Sequence, residues 1–193
     1  LSTAAGRIGP NALLQLIPVL DAAVGPPVTA QIMAQGGVTT VPDDRMIAEG
    51  PVALIHHAVR ARLPDQAPAL LREAGLRTGD YILAHRIPSF AQTLLRHLPR
   101  ALAAQLLAQA IAKNAWTFAG SGRFTIAMRR PLVFQIAANP IVRGETAAGP
   151  ICHWHVAVFE RLFAALVDPH AQVTETECCA CGALACRFAL RFS

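Results

Sequence analysis

Val173-Thr174-Glu175-Thr176-Glu177-Cys178-Cys179-Ala180-Cys181-Gly182-Ala183-Leu184-Ala185-Cys186-Arg187-Phe188-Ala189-Leu190-Arg191-Phe192 is the stretch from which the fold is read. Val173 to Glu177 is predicted to be a strand, Gly182 sits in a turn, and Leu184 to Phe192 is predicted to be a second strand. In the latter, Phe188, Leu190 and Phe192 share one face, and Arg187 and Arg191 share the other. Upstream, Asp168-Pro169 ends a helix predicted from about Cys152 to Val167, which follows Gly149-Pro150. Before it, Asn139-Pro140 and Gly144 mark a loop. Phe124 to Met128 and Leu132 to Ala138 read as strands separated by Pro131, after a turn at Gly120-Ser121-Gly122. The order strand, strand, helix, strand, strand implies a largely antiparallel sheet with a helix packed on it.

The residues before Trp116 read as helices. Leu13, Leu16, Ile17, Leu20 and Val24 give Asn11 to Val24 a helical spacing, with Pro18 predicting a kink or break. Pro27 to Gln35 is stopped by Gly36-Gly37, and Val52 to Leu63 follows Pro51. Asp65 to Ala74 is expected to end at Gly75 as a C-cap, and Thr78 to Leu95 carries Pro88 inside it. Arg100 to Ala115, rich in Ala, Leu and Gln, is the strongest helix. The expected fold class is therefore α+β. It is one domain over residues 1–193, mainly helical over 1–115 and mixed over 116–193, with the helical part packed on the sheet.

The chain has 193 residues, 53% hydrophobic and 15% charged, a balance opposite to that of disordered chains. The longest uncharged run, Ala22 to Pro42, is interrupted by Pro26, Pro27, Gly36 and Gly37, so a spanning helix is not expected. The net charge of +5 comes almost wholly from Arg, with Lys113 the single Lys. No basic run interleaved with aromatics points to nucleic acid. The five cysteines all lie between Cys152 and Cys186. An odd number at one end, without a signal peptide, argues against a disulfide framework, and a cytoplasmic location is the default expectation.

These cysteines suggest a metal site. Thiolates and a carboxylate suit a tetrahedral zinc ion, and Cys152, Glu175, Cys178 and Cys186 form one candidate set. The turn at Gly182 can bring Cys178 and Cys186 together, and the start of the preceding helix can carry Cys152 to them. In a fully extended strand, Glu175 and Cys178 face opposite sides, so the strand must bend or end near Glu177. A rival set replaces Glu175 by Cys181, giving a Cys-x-x-Cys knuckle; His153 and His155 are further candidates. The alternative is that the cysteines are ordinary small core residues.

From Pro131 onward the chain resembles the 4-vinyl-reductase domain family. The resemblance rests on Gly149-Pro150-Ile151-Cys152, the helix after it, Thr174 to Cys178, Gly182, and Cys186-Arg187-Phe188. Members that sense aromatic compounds bind zinc through a Cys, a Glu and two further Cys. That pattern implies Cys152, Glu175, Cys178 and Cys186 as ligands of a structural zinc, leaving Cys179 and Cys181 outside it. Gly9 to Gln15, Arg86-Ile87-Pro88 and Ala115 to Gly122 extend the similarity to the branch of this family named for the 4-vinyl reductase of bacteriochlorophyll biosynthesis. The resemblance implies a mixed fold shared with vesicle-tethering subunits and phenol sensors, often dimeric and enclosing an apolar pocket, so a homodimer is among the expectations.

The reductase name requires a hydride source. Gly120-Ser121-Gly122 lacks the third glycine of a dinucleotide fingerprint and opens a strand, and no P-loop is present. The preferred expectation is a module that holds a magnesium tetrapyrrole, such as magnesium protoporphyrin or protochlorophyllide, and presents it to pathway enzymes. Magnesium chelatase and the following methyltransferase are the delivery partners of that pathway logic, and the photosynthetic membrane is a candidate peripheral location. Reduction of a divinyl (proto)chlorophyllide is the alternative, and a ligand sensor is a third reading. An apolar pocket would hold the disc, Arg would meet its propionates, and a His would ligate magnesium. His56, His57, His85 and His97 are candidates; Tyr81, His85 and Pro88 fall on one side of their helix. Tyr81, His85, Trp116 and Phe118 are the predicted ligand-binding residues, and none is assigned a catalytic role.

Overall fold

In the computed structural model, which describes residues 6–40 and 45–193, a four-stranded antiparallel sheet carries the C-terminal half. Its strands are β3 (Arg123–Arg129), β4 (Leu132–Ala137), β5 (Gln172–Glu177) and β6 (Ala185–Arg191), in the order β3-β4-β6-β5. The two remaining strands, β1 (Arg7–Ile8) and β2 (Ile47–Ala48), pair antiparallel as a separate ribbon. The helices are α1 (Asn11–Leu14), α2 (Ile17–Val24), α3 (Pro26–Gln35), α4 (Glu49–Arg62), α5 (Ala67–His85), α6 (Ser89–His97), α7 (Arg100–Lys113), α8 (Trp116–Ala119) and α9 (His153–Leu166). Among the described residues no helix is long and apolar enough to cross a membrane.

Alternation places Phe134 and Ile136 of β4 directly across from Phe188 and Cys186 of β6, all fully buried. α9 lies over this face. Phe159 packs its ring 5.1 Å from that of Phe134 and 5.4 Å from that of Phe188, both near edge-to-face, the favoured geometry for aromatic pairs. The N-terminal helices reach the sheet mainly through α9, with α5 packed along its outer side. The expected α+β arrangement is present, but α9 is the layer between.

The helix boundaries correct the sequence reading in three places. Asn11 to Val24 is broken at Gln15 and Leu16, and Pro18 lies in the first turn of α2, where its missing N–H costs nothing. Gly75 is not a C-cap: α5 runs unbroken through it to His85. A Cβ on Gly75 would lie 2.4 Å from the Trp154 carbonyl oxygen and 2.7 Å from the Ala157 Cβ, and one on Gly79 would lie 2.7 Å from the Arg161 Cβ. These glycines let α5 and α9 approach closely, which outweighs their poor helix propensity. The predicted helix Thr78 to Leu95 is instead the end of α5 and the start of α6. The chain breaks at Arg86 to Pro88, where the Gln92 side chain donates hydrogen bonds to the Leu83 and Ile87 carbonyls.

Candidate functional site

Three thiols and one carboxylate meet where α9 begins. Cys152 occupies the N-cap of α9, Glu175 sits on β5, Cys178 follows the end of β5, and Cys186 sits on β6. β5 and β6 lose register between Glu175 and Glu177, a bulge in which two steps on β5 oppose one on β6. That is the bend the sequence requires, and it turns Cys178 to the side of Glu175. All four residues are buried, and their donor atoms lie within 4.8 Å of one another.

The sulfurs are 3.5 Å (Cys152–Cys186), 3.9 Å (Cys152–Cys178) and 4.0 Å (Cys178–Cys186) apart. A tetrahedral zinc ion with sulfur ligands at about 2.3 Å has edges of about 3.8 Å. Glu175 Oε2 accepts the Cys152 backbone N–H at 2.7 Å, at the positive end of α9. Its Oε1 is buried without a partner. A divalent cation at the centre of the four donors would satisfy that oxygen.

Electrostatics without a cation points the same way. Burial pushes the Cys152 thiol well above its ordinary range and raises Glu175 to about 7. Cys178 is shifted the other way, because the Cys152 and Cys186 thiols hydrogen-bond to it. A set of anionic donors crowded out of water needs a positive charge to ionise together.

Asn139 is a member of this site that the sequence reading placed only in a loop. Its Nδ2 lies 3.5 Å from both Cys152 Sγ and Cys186 Sγ, and its Oδ1 accepts the Ile141 N–H at 3.2 Å. The Cys179 backbone N–H also donates to Cys186 Sγ, at 3.3 Å. Such donors orient thiolate ligands. Cys181 is exposed in the turn closed by Gly182 (φ +87°), and the cluster contains neither it nor Cys179, His153 or His155. His155 instead places Nε2 3.3 Å from the Phe118 carbonyl.

Farther along α9, a cavity of about 410 Å³ opens between α5, α7, α8 and α9. Trp154, Val158, Phe159 and Leu162 form its α9 wall, with Leu107 and Ile111 of α7 facing them. Its polar groups include Asn11, Thr78, Asn114 and Arg86. The volume falls within the range of about 300–1,000 Å³ usual for small-molecule sites. Trp154 is held by its indole N–H, which donates to Thr78 Oγ1 at 3.2 Å.

The predicted ligand-binding residues divide here. Trp116 and Phe118 line the cavity, with Trp116 half-exposed at its mouth. His85 does not line it. It faces an outer cleft with Asp80, Arg86, Arg96 and Arg161, and Tyr81 stacks on it at 4.6 Å. No histidine is among the described residues lining the cavity. His56 is buried in the core, with Nε2 3.0 Å from the Ala12 carbonyl.

Comparison with known proteins places these features in a wider group. A model of the 4-vinyl-reductase domain matches residues 132–192, the sheet and α9 with the four donors. The chain is 58% identical over 187 residues to the bacteriochlorophyll synthase 23 kDa chain of Cereibacter sphaeroides, covering 96% of this chain and 91% of that one. It is 48% identical over 185 residues to the protein of the same name in Rhodobacter capsulatus, covering 95% and 86%. The fold is similar to that of the Fe(II) unliganded H-NOX protein from K. algicida, with a TM-score of 0.62 at 8% identity over 96% of this chain and 97% of that one. An H-NOX structure used to probe heme distortion gives 0.60 at 12% identity, over 96% and 95%. The phenol-responsive sensory domain of the transcription activator PoxR, with phenol, gives 0.56 at 14% identity, over 75% and 74%.

Proposed function

Because the chain belongs to the 4-vinyl-reductase domain family that includes the bacteriochlorophyll synthase 23 kDa chains, we propose that it serves bacteriochlorophyll synthesis by holding a magnesium tetrapyrrole intermediate and presenting it to an enzyme of that pathway. The observation that carries this reading is the cavity. A tetrapyrrole is a flat apolar disc with acidic substituents at one edge. Trp154, Val158, Phe159, Leu162, Leu107 and Ile111 offer apolar walls, and Arg86 offers a guanidinium to the acidic edge. The fold supports the reading too, since H-NOX proteins of the same architecture are studied for the distortion of their heme.

The cluster has a structural part in this proposal. Cys152, Glu175, Cys178 and Cys186 would hold one zinc ion, closed to water, tying the start of α9 to the β5–β6 hairpin. The ion supplies positive charge and four bonds. The protein's own contribution is to fix α9 in position and angle, and thereby the wall that Trp154, Val158, Phe159 and Leu162 present to the ligand. Magnesium chelatase and the methyltransferase that follows it are the proposed neighbours for delivery.

Titration of the purified protein with magnesium protoporphyrin, followed by absorbance, tests the carrier reading. A saturable shift of the main absorption band at one equivalent is expected, weakened in Arg86→Gln. No shift overturns it. Loss of a vinyl group on adding NADPH to this protein alone would replace it with the reductase reading. Elemental analysis is expected to find one zinc per chain.

A further inference from the structure

Charge along the chain is far from even. Between Asp80 and Glu145 there is no acidic residue, whereas Arg86, Arg96, Arg100, Lys113, Arg123, Arg129, Arg130 and Arg143 all fall in that span. Residues 81–144 therefore carry eight positive charges and no negative one. The rest of the chain, with nine basic and twelve acidic residues, is net negative by three. Elsewhere Arg60, Arg72, Arg77, Arg161 and Arg187 are ion-paired. Within the acid-free span only Arg100 and Arg143 are paired among the described residues, with Asp168 and Glu49.

The same span carries most of the large apolar side chains left in water. Phe90 is 74% exposed, Leu94 55%, Leu102 45%, Leu106 40% and Trp116 56%. Phe90 and Leu94 are four apart on α6, and Leu102 and Leu106 are four apart on α7, so each pair forms a stripe on one side of its helix. α6 buries no residue at all, and its last turn carries Arg96 and His97. The two helices pack on each other and are joined through Leu98-Pro99. An apolar stripe flanked by cations on a helix with no buried face is the pattern of a helix lying in a membrane interface.

We propose that the α6–α7 helix pair docks on the surface of an anionic lipid bilayer, with Phe90, Leu94, Leu102 and Leu106 entering the interface and Arg96 and Lys113 meeting the headgroups. Charge complementarity selects this occupant, because eight cations without a single carboxylate are repelled by nothing on an anionic membrane. The cavity mouth lies in the same span. Arg86, Ile87, Ala110, Asn114 and Trp116 line it, and Ala110 is the next turn of α7 after Leu106. Docking thus sets the mouth beside the lipid, where an apolar ligand passes in or out with little exposure to water. The docking itself does not require a bound tetrapyrrole, so it stands or falls separately from the carrier reading.

The test is co-sedimentation of the full, ligand-free chain with phosphatidylcholine vesicles with and without phosphatidylglycerol. Binding is expected only to the anionic vesicles and is expected to weaken as salt rises. Phe90→Glu with Leu94→Glu lowers partitioning by at least about tenfold for each site. Arg96→Gln and Lys113→Gln lower it by about fivefold each. All of these side chains are exposed, and circular dichroism melting is expected to match the parent. Absence of sedimentation with anionic vesicles at low salt overturns the proposal, as does binding unchanged by the Phe90/Leu94 double variant. If that variant instead converts an oligomer to a monomer while vesicles fail to bind, the stripe is an interface between copies and the lipid proposal falls.

Discussion

The two ends of α9 are built on opposite terms. At its N-terminus, Cys152 stands in a region where polar donors fill the space: three sulfurs 3.5–4.0 Å apart, a carboxylate, and Asn139 holding two of the sulfurs. One turn on, Trp154, Val158, Phe159 and Leu162 front a space of about 410 Å³ that no side chain fills. The filled end can only lose by substitution, because each atom has a fixed neighbour. The open end tolerates added atoms, and its role depends on what it leaves empty.

Removing a donor should give the largest effect. Cys178→Ser is expected to release the bound metal and to destabilise the fold by at least about 3 kcal/mol, a fall in Tm of roughly 10 °C for a chain of this size. Elemental analysis and thermal melting read both. Cys181→Ser, outside the cluster and exposed, is expected to change neither. If the two variants behave alike, the filled end is ordinary core and the contrast disappears.

Gly75→Val probes the filled side away from any ligand. Its Cβ would stand 2.4 Å from the Trp154 carbonyl oxygen, so α5 and α9 must separate. The expected cost is about 3 kcal/mol, at the upper end for overpacking, measured by urea unfolding. A fully stable variant would show that the close contact of the two helices is dispensable.

Two buried histidines connect the regions. His56 and His155 place their rings 6.1 and 4.9 Å from that of Trp154. Burial lowers their pKa values to about 3 and about 4 from an ordinary 6.5. The unfolded chain therefore binds more protons than the folded one below pH 6.5, and stability must fall as pH drops from there towards the folded values. At pH 5 the loss is about 2 kcal/mol for each ring. Urea midpoints at pH 7.5 and pH 5 measure it, and a flat profile would mean that the rings reach water.

What is legible in the sequence follows the same division. Cys152, Glu175, Cys178 and Cys186 lie on elements whose periodicity is plain, and the need for a bend near Glu177 follows from strand alternation alone. The register shift supplies that bend. The full length of α5 is hidden because Gly75 has the look of a stop. Its buried positions Ala67, Leu71, Ala74, Gly75, Thr78, Gly79 and Leu83 keep helical spacing straight through the glycine. The ribbon β1–β2 has two residues per strand, too few to show a period. The cavity is only half legible. Trp116 and Phe118 line it, but His85, one helix turn after Tyr81, points to the outer cleft because α5 ends there. A cavity is the gap between elements distant in sequence, and no local pattern encodes it.

The smallest effect on stability, and the sharpest contrast with Gly75, is expected from Ile111→Trp. Ile111 is nearly buried on α7 and lines the cavity. The added ring has empty volume to enter, so the melting temperature should stay close to that of the parent, whereas adding atoms at Gly75 forces two helices apart. The ring takes up space that a tetrapyrrole would need, and affinity for magnesium protoporphyrin should drop by about tenfold or more, equivalent to about 1.4 kcal/mol. Absorbance titration and thermal melting of the same sample separate the two quantities. Unchanged affinity with unchanged stability would place the ligand outside this cavity, and the outer cleft at His85 and Arg96 would become the site to examine next.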